Sequence, residues 1–305
     1  MNAVLKRILQ KVSGLLDIPQ GAYNFRVNGQ SAHCASSMNT RIIGKKDKPG
    51  MDIIVRSGVR GEVVYIPVLI SQGGLSDQVY NDFYIGEGSE VHILAGCGIH
   101  NDSQHMTQHS GIHVFHVGRG ARVRYDEKHY GQGEGSGDKV LNPETIIYLA
   151  EESQLEMDSV QIEGVDNTKR ITKATIGDNA SLITKEVILT TGTQFAATDF
   201  HIELDGKNSS VSLVSRSVAK GDSKQVFYSI INGNNQCKGH SACDAIIMDH
   251  AMVKAVPDVT AKHMDAELIH EAAIGKIAGE QIIKLMSLGL NYEAAEQEII
   301  AAFLR

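Results

Sequence analysis

Four cysteines, Cys34, Cys97, Cys237 and Cys243, are the side chains of this chain best suited to sulfur or transition-metal chemistry. None follows the C-x2-C spacing of zinc or ferredoxin sites. Cys237 and Cys243 form the closest pair, with His240 between them and Asp244 following; His263, Asp265, His270 and Glu271 come next. Thiolate, imidazole and carboxylate are transition-metal donors, and one or two thiolates with His or Glu make a weaker, more labile site than four cysteines. The competing reading is that His270-Glu271 begin a helix, with Glu271 favouring its positive end.

The histidines cluster. Seven of thirteen (His92, His100, His105, His109, His113, His116, His129) lie within 38 residues. His105, His109 and His113 are spaced to align on a helix as metal ligands, but Gly111 and the β-type run Ile112–Val117 predict a strand from residue 111. In a strand His113 and His116 face opposite sides. A metal site, and with it a metal-dependent enzyme, is weighed here against surface or turn histidines, and the latter reading is preferred.

Other chemistry is excluded by what the chain lacks. There is no P-loop, no G-x-S-x-G elbow and no H-E-x-x-H, and the string Gly131–Gly137 departs from dinucleotide spacing and reads as a flexible turn. A net charge of −7 without a basic stripe argues against nucleic acid or an acidic membrane as partner. No apolar run approaches the roughly 20 residues of a membrane span, and Met1 to Leu16 has no signal-peptide core. The expected location is the cytoplasm, where the cysteines stay reduced.

The elements that must position these residues follow from a repeat. Segments beginning at Gly86, Gly118, Ala150, Gly177 and Gly206 share a turn, a small residue (Ser89, Ala121, Ser153, Ala180, Ser209), a polar residue and an aliphatic one, at offsets of 32, 32, 27 and 29 residues. A turn-plus-strand unit at this period predicts a β-solenoid. Val91 sits at the aliphatic position, so alternation places Ile93, Ala95 and Cys97 on the inner face. Cys97, between Gly96 and Gly98, is then a small core residue or a thiol lining an interior passage. Ahead of the repeat, Val4, Leu5, Ile8, Leu9 and Val12 make an amphipathic helix in residues 1–20. The β-core is expected over 21–265. A helical segment follows in 266–305, with Gly289 stopping one helix and Asn291 capping the next.

The string from His270 to Leu290 closely resembles the C-terminal signature of the SufB/SufD family, in which His-(Glu or Gly)-Ala leads into a helix bearing Glu-Gln and ending in Gly. The resemblance runs upstream through Cys243–Met248 and covers about residues 50–305. It implies an all-β core, a right-handed parallel β-helix flanked by helices, working with a SufC-like ABC ATPase docked on the C-terminal segment. Cys243 and Glu271 stand where SufB-type members carry Cys and Glu, and Gly96-Cys97 matches a sulfur-receiving cysteine. The implied role is a scaffold rather than an enzyme. A cysteine desulfurase or sulfur-transfer protein loads Cys97, sulfur moves to Cys243, and a transient iron–sulfur cluster forms on Cys243, Glu271 and His270, with Cys237 and His240 as lesser candidates. Cys34 is read as structural. A SufD-like adaptor without its own cluster is the alternative. The chain lacks the long N-terminal region and cysteine-rich motif of typical SufB, so it resembles a compact member, expected to form a homodimer.

Overall fold

The computed structural model describes residues 2–304; Met1 and Arg305, the outer ends of the first and last expected segments, lie outside them. Helix α1 (Ala3–Ser13) precedes three short strands, β1 (Ala22–Val27), β2 (Gln30–Ala35) and β3 (Thr40–Gly44). The coils begin with β4 (Gly50–Val55), β5 (Glu62–Ile70), β6 (Ser76–Ile85), β7 (Glu90–His100), β8 (Thr107–Val117) and β9 (Arg122–Gln132). They continue through β10 (Lys139–Leu141), β11 (Glu144–Leu149), β12 (Gln154–Glu163), β13 (Asn167–Ile176), β14 (Ser181–Thr190) and β15 (Phe195–Leu204). The last are β16 (Ser209–Ala219), β17 (Lys224–Gly233), β18 (Cys237–Ile247), β19 (Met252–Ala261) and β20 (Ala266–Gly275), followed by α2 (Gly279–Ser287) and α3 (Tyr292–Phe303).

Successive strands alternate between two parallel sheets. One runs β5-β7-β9-β12-β14-β16-β18-β20 and the other β4-β6-β8-β10-β13-β15-β17-β19, with β11 between β8 and β13. The result is a parallel β-solenoid of about eight turns. At its first end the sheets are extended by antiparallel pairs, β1 with β2 and β3 with β4, leaving β2 and β3 outermost. At the other end the outermost strands β19 and β20 keep one edge each unpaired.

The repeat marks one corner of every coil. Its third residue is left-handed in all five copies, at Gly88, Gly120, Glu152, Asn179 and Asn208, with φ between 54° and 61° or at 63°. The fourth, always small, is fully buried or nearly so and donates its N–H back to the first residue's carbonyl, as from Ala121 to Gly118 at 3.1 Å. The turn therefore needs a residue tolerant of positive φ followed by one with almost no side chain.

Helix α1 begins at Asn2, whose Oδ1 accepts from Leu5 N at 2.9 Å, and ends at left-handed Gly14. Leu5, Ile8, Leu9 and Val12 bury against Phe25 and Leu69 on the outside of the solenoid. Gly96 and Gly98 form the seat: a methyl on Gly98 would lie 2.1 Å from Ile8 Cγ2, and one on Gly96 2.7 Å from the Val12 carbonyl. The glycines flanking Cys97 are thus explained by the helix outside rather than by the thiol inside.

Three sequence expectations change. The solenoid runs to Gly275, so the segment 266–305 opens with a strand, and His270-Glu271 belong to β20 rather than to a helix start. The string Gly131–Gly137 is not a flexible turn: it packs flat on residues 101–105, where methyls on Gly133, Gly135 and Gly137 would fall 2.2–2.4 Å from backbone atoms. Cys34 is exposed on β2.

Candidate functional site

The inner face is apolar near the repeat turn; farther along the strands it carries polar side chains beside a second apolar cluster of Val68, Ile70, Cys97, Ile99, Leu141 and Val165. Phe83 and Ile85 end β6, while Val91 and Ile93 begin β7; all four are buried in the main core, where Phe83 stacks on Phe115 at 4.4 Å. Away from the turn, the buried polar side chains include Asp77, Asn81, His109, His113, Glu127, His129, Gln161, Arg170 and Glu186. Burying such groups costs several kcal/mol unless each is paired.

Most are paired. Arg26 and His109 both donate to Asp77, at 2.8 and 2.9 Å to Oδ2. Burial would raise the Asp77 carboxyl, but these two donors hold it far below the usual carboxylate range. His113 Nδ1 lies 2.9 Å from Tyr125 Oη, and that hydroxyl donates to Glu127 Oε1 at 3.1 Å. Burial pushes His113 down to about 4, so its ring is neutral. Arg170 crosses from the opposite sheet to pair with Glu127 and, at 3.5 Å, with Glu186. Glu186 also accepts from Thr198 and Ser215, at 2.6 and 3.0 Å.

The two candidate relay thiols stand at the ends of this network. Cys97 on β7 and Cys243 on β18 both face inward and are buried. They belong to the same sheet, five strand spacings or about 24 Å apart. Cys97 is in register with His129, whose Nδ1 is 3.3 Å from Gln161 Oε1 and 3.4 Å from Arg170 Nη2. From Arg170 the chain passes to Glu127 and Glu186, then to Ser215, which is in register with Cys243. Burial pushes the Cys97 thiol well above its ordinary value, and the charge of Glu127 adds to this. Cys243 is pushed up to about 12 by burial and by Glu186. A cavity of about 10 Å³ beside Cys243, lined by Glu186, Thr198, Ser215 and Gln225, has room for about one water-sized species.

The other candidate ligands divide between two faces. His270 pairs in register with inward Ser241, two positions along from Cys243, and its Nδ1 is buried without a hydrogen-bond partner among the described residues. Burial, with His240 nearby, lowers its pKa. Glu271 lies opposite Ala242 on the outer face and accepts from His240 Nε2 at 2.6 Å. Cys237 is buried at the far end of β18, about 20 Å along the strand from Cys243. Within one chain Cys243 and His270 therefore share the inner face two positions apart, while Glu271 and His240 meet on the outer one. Among the described residues no three His, Cys, Asp or Glu side chains are arranged to hold a metal ion.

The histidine segment is also rearranged. His105 is exposed in a loop, while His109 and His113 point inward and His116 outward, stacked between Tyr84 and Tyr148 at 5.0 and 5.3 Å. His109, His113 and His129 are interior residues, not the surface or turn histidines expected.

The family model for the SUF system FeS cluster assembly SufBD core domain matches residues 72–303, the whole of this network except Arg26. The chain belongs to the SufBD family. Similar proteins include SufBD family iron–sulfur cluster assembly proteins of archaea. That of Archaeoglobus fulgidus is 28% identical over 87% of this chain and 70% of its own length. That of Methanothermobacter thermautotrophicus is 29% identical over 72% of this chain, which spans only 53% of the relative. A third, from Methanocaldococcus jannaschii, is 24% identical, with 83% and 79% covered. As a SufBD protein the chain is a component of iron–sulfur cluster assembly, and the polar interior lies within the segment that defines the family.

Proposed function

We propose that this chain is the scaffold of a SUF-type assembly system in the cytoplasm, taking in sulfur at Cys97 and holding a labile cluster at the Cys243 end. The observation that carries the proposal is the run of buried polar groups on the coils between the two thiols, His129, Gln161, Arg170, Glu127, Glu186 and Ser215, whose end members stand in register with Cys97 and Cys243. A core built for stability alone would fill that volume with aliphatic side chains. Both thiols rest protonated, which protects them from oxidants and requires a base at each exchange.

About 24 Å is too far for direct exchange between the thiols. Sulfur loaded on Cys97 as persulfide by a cysteine desulfurase or sulfur-transfer protein is released by a two-electron reductant as hydrosulfide, which crosses the polar path. Iron meets it at the last coils on Cys243 and His270, with Glu271 joining when a second copy brings its outer face to the site. The open edges of β19 and β20, with Val259, Ile269 and Ile274 exposed beside them, support a homodimer formed there. Cys237 and His240 are lesser ligands. Exposed Ile283, Met286, Leu288 and Tyr292 on α2 and α3 support docking of a SufC-like ABC ATPase.

Anaerobic reconstitution with iron and sulfide, read by absorption and Mössbauer spectra, tests the scaffold. Wild type should hold a cluster that Cys243→Ala loses; an identical cluster in both would remove Cys243 from the site. The separation of Cys243 from Glu271 favours one alternative, a SufD-like adaptor, and no cluster in wild type would establish it. Loss of ATPase co-purification on deleting residues 276–305, with the solenoid intact, is the expected result for docking.

A further inference from the structure

Two buried histidines of β8 take no part in the sulfur transfer proposed above. His109, Gly111 and His113 stand at alternate positions of the strand and share its inner face. Both rings lean over the glycine between them. A methyl built on Gly111 would lie 3.2 Å from His113 Nε2 and 3.5 Å from His109 Nε2, so the two nitrogens converge where that side chain is missing. A larger residue at this position would push the rings apart.

The partners of the other ring nitrogens fix both tautomers. His109 Nδ1 lies 2.9 Å from Asp77 Oδ2, and a carboxylate kept ionised by Arg26 can only accept, so the proton sits on Nδ1. His113 Nδ1 lies 2.9 Å from Tyr125 Oη, whose own proton goes to Glu127 Oε1 at 3.1 Å. That hydroxyl oxygen therefore accepts from Nδ1. Both Nε2 atoms are left with a lone pair. His109 Nε2 is buried and has no hydrogen-bond partner among the described residues. His113 Nε2 has only the Asn81 amide nitrogen, a donor, at 3.4 Å, while Asn81 Oδ1 accepts from Met51 N.

Converging imidazole lone pairs, each ring anchored through its other nitrogen, are the donor half of a metal site. The carboxylates behind the rings, Asp77 directly and Glu127 through Tyr125, strengthen the nitrogens as donors. Count and charge select the ion. No third His, Cys, Asp or Glu completes the set among the described residues, which leaves zinc or iron(II) short of the four or more ligands it takes. A divalent ion would also bring in charge that no free anion meets, since Arg26 and Arg170 already pair with Asp77 and Glu127. Copper(I) is stable with two nitrogen donors and carries a single charge. We propose that His109 and His113 form a two-coordinate copper(I) site over Gly111. Both donors are neutral and the ion enters reduced, so binding releases no proton and moves no electron. The site stands apart from the sulfur reading of Cys97 and Cys243.

The test supplies one equivalent of copper(I), as its acetonitrile complex and without oxygen, to the full chain carrying Cys34→Ser, which removes the exposed thiol. The ion should stay with the protein on desalting, and X-ray absorption at the copper edge should show two imidazole nitrogens and no sulfur. Sulfur neighbours would put the ion on Cys97, Cys237 or Cys243 and overturn the proposal. Copper lost on desalting overturns it too, since water alone then matches the two nitrogens. His109→Gln and His113→Gln should each abolish retention, and Asp77→Asn should weaken binding about 10- to 100-fold by loosening the His109 ring. Unchanged retention in both histidine variants contradicts the site. The absorption spectrum needs no substitution at the site, so it decides even where a variant fails to fold.

Discussion

Arg170 reaches across the solenoid to two carboxylates, and replacing it with an apolar side chain leaves Glu127 and Glu186 buried without their cation. Arg170→Met should destabilise the fold by about 3–5 kcal/mol, measured by urea unfolding. His113 sets a pH dependence. Its folded pKa of about 4 lies below the unfolded value of 6.5, so unfolding takes up a proton as pH falls. Its contribution, about 3 kcal/mol, is complete above pH 6.5 and is lost as pH drops toward 4. Asp77 and Glu127, both depressed, add stability present above about pH 4 that is lost below it. The unfolding midpoint should therefore fall between pH 7 and 4.5, and His113→Gln should flatten that decline. The sequence hid this interior because β8 inverts the usual pattern. Ile112 and Val114 face outward while His109 and His113 face inward, so an apolar/polar rule points the strand the wrong way. For Cys97 the rule worked, because Val91 and Ile93 share its face.

At the scale of elements, the repeat turn was legible because its demands fall on residue types. Glu152 is the copy that departs, holding a left-handed φ of 61° with a long side chain. Glu152→Gly should stabilise the protein by about 1 kcal/mol, seen as a raised denaturation midpoint. Helix α1 was legible as an amphipathic segment, but its seat was not, since glycines beside a cysteine look like a feature of the thiol. Gly98→Val should lift α1 and speed tryptic cleavage after Lys6, Arg7 and Lys11, which are already exposed but held in the helix, whereas Gly279→Ala, where nothing lies within 4 Å of the added methyl, should not. The C-terminal helices start where the sequence placed them, but the end of the β-core, expected at residue 265, was misjudged. Residues 266–275 form an open-edged strand whose burial alternates only as far as Glu271, its last five residues all being exposed.

Across the whole molecule the two ends differ. Antiparallel strands extend the first, near the Cys97 coils, and the second ends on parallel strands beside Cys243, His270 and Glu271. The central claim, that intake and holding are separate tasks of separate thiols, is tested by assembling clusters from two sulfur sources. Iron(II) and a reductant are supplied anaerobically with either cysteine persulfide or free sulfide, and bound cluster is measured by Mössbauer spectroscopy. The account predicts that Cys97→Ala assembles poorly from persulfide yet normally from sulfide, while Cys243→Ala fails with both. A Cys97→Ala protein that matches wild type with persulfide, or a Cys243→Ala protein that holds the wild-type cluster, would contradict it.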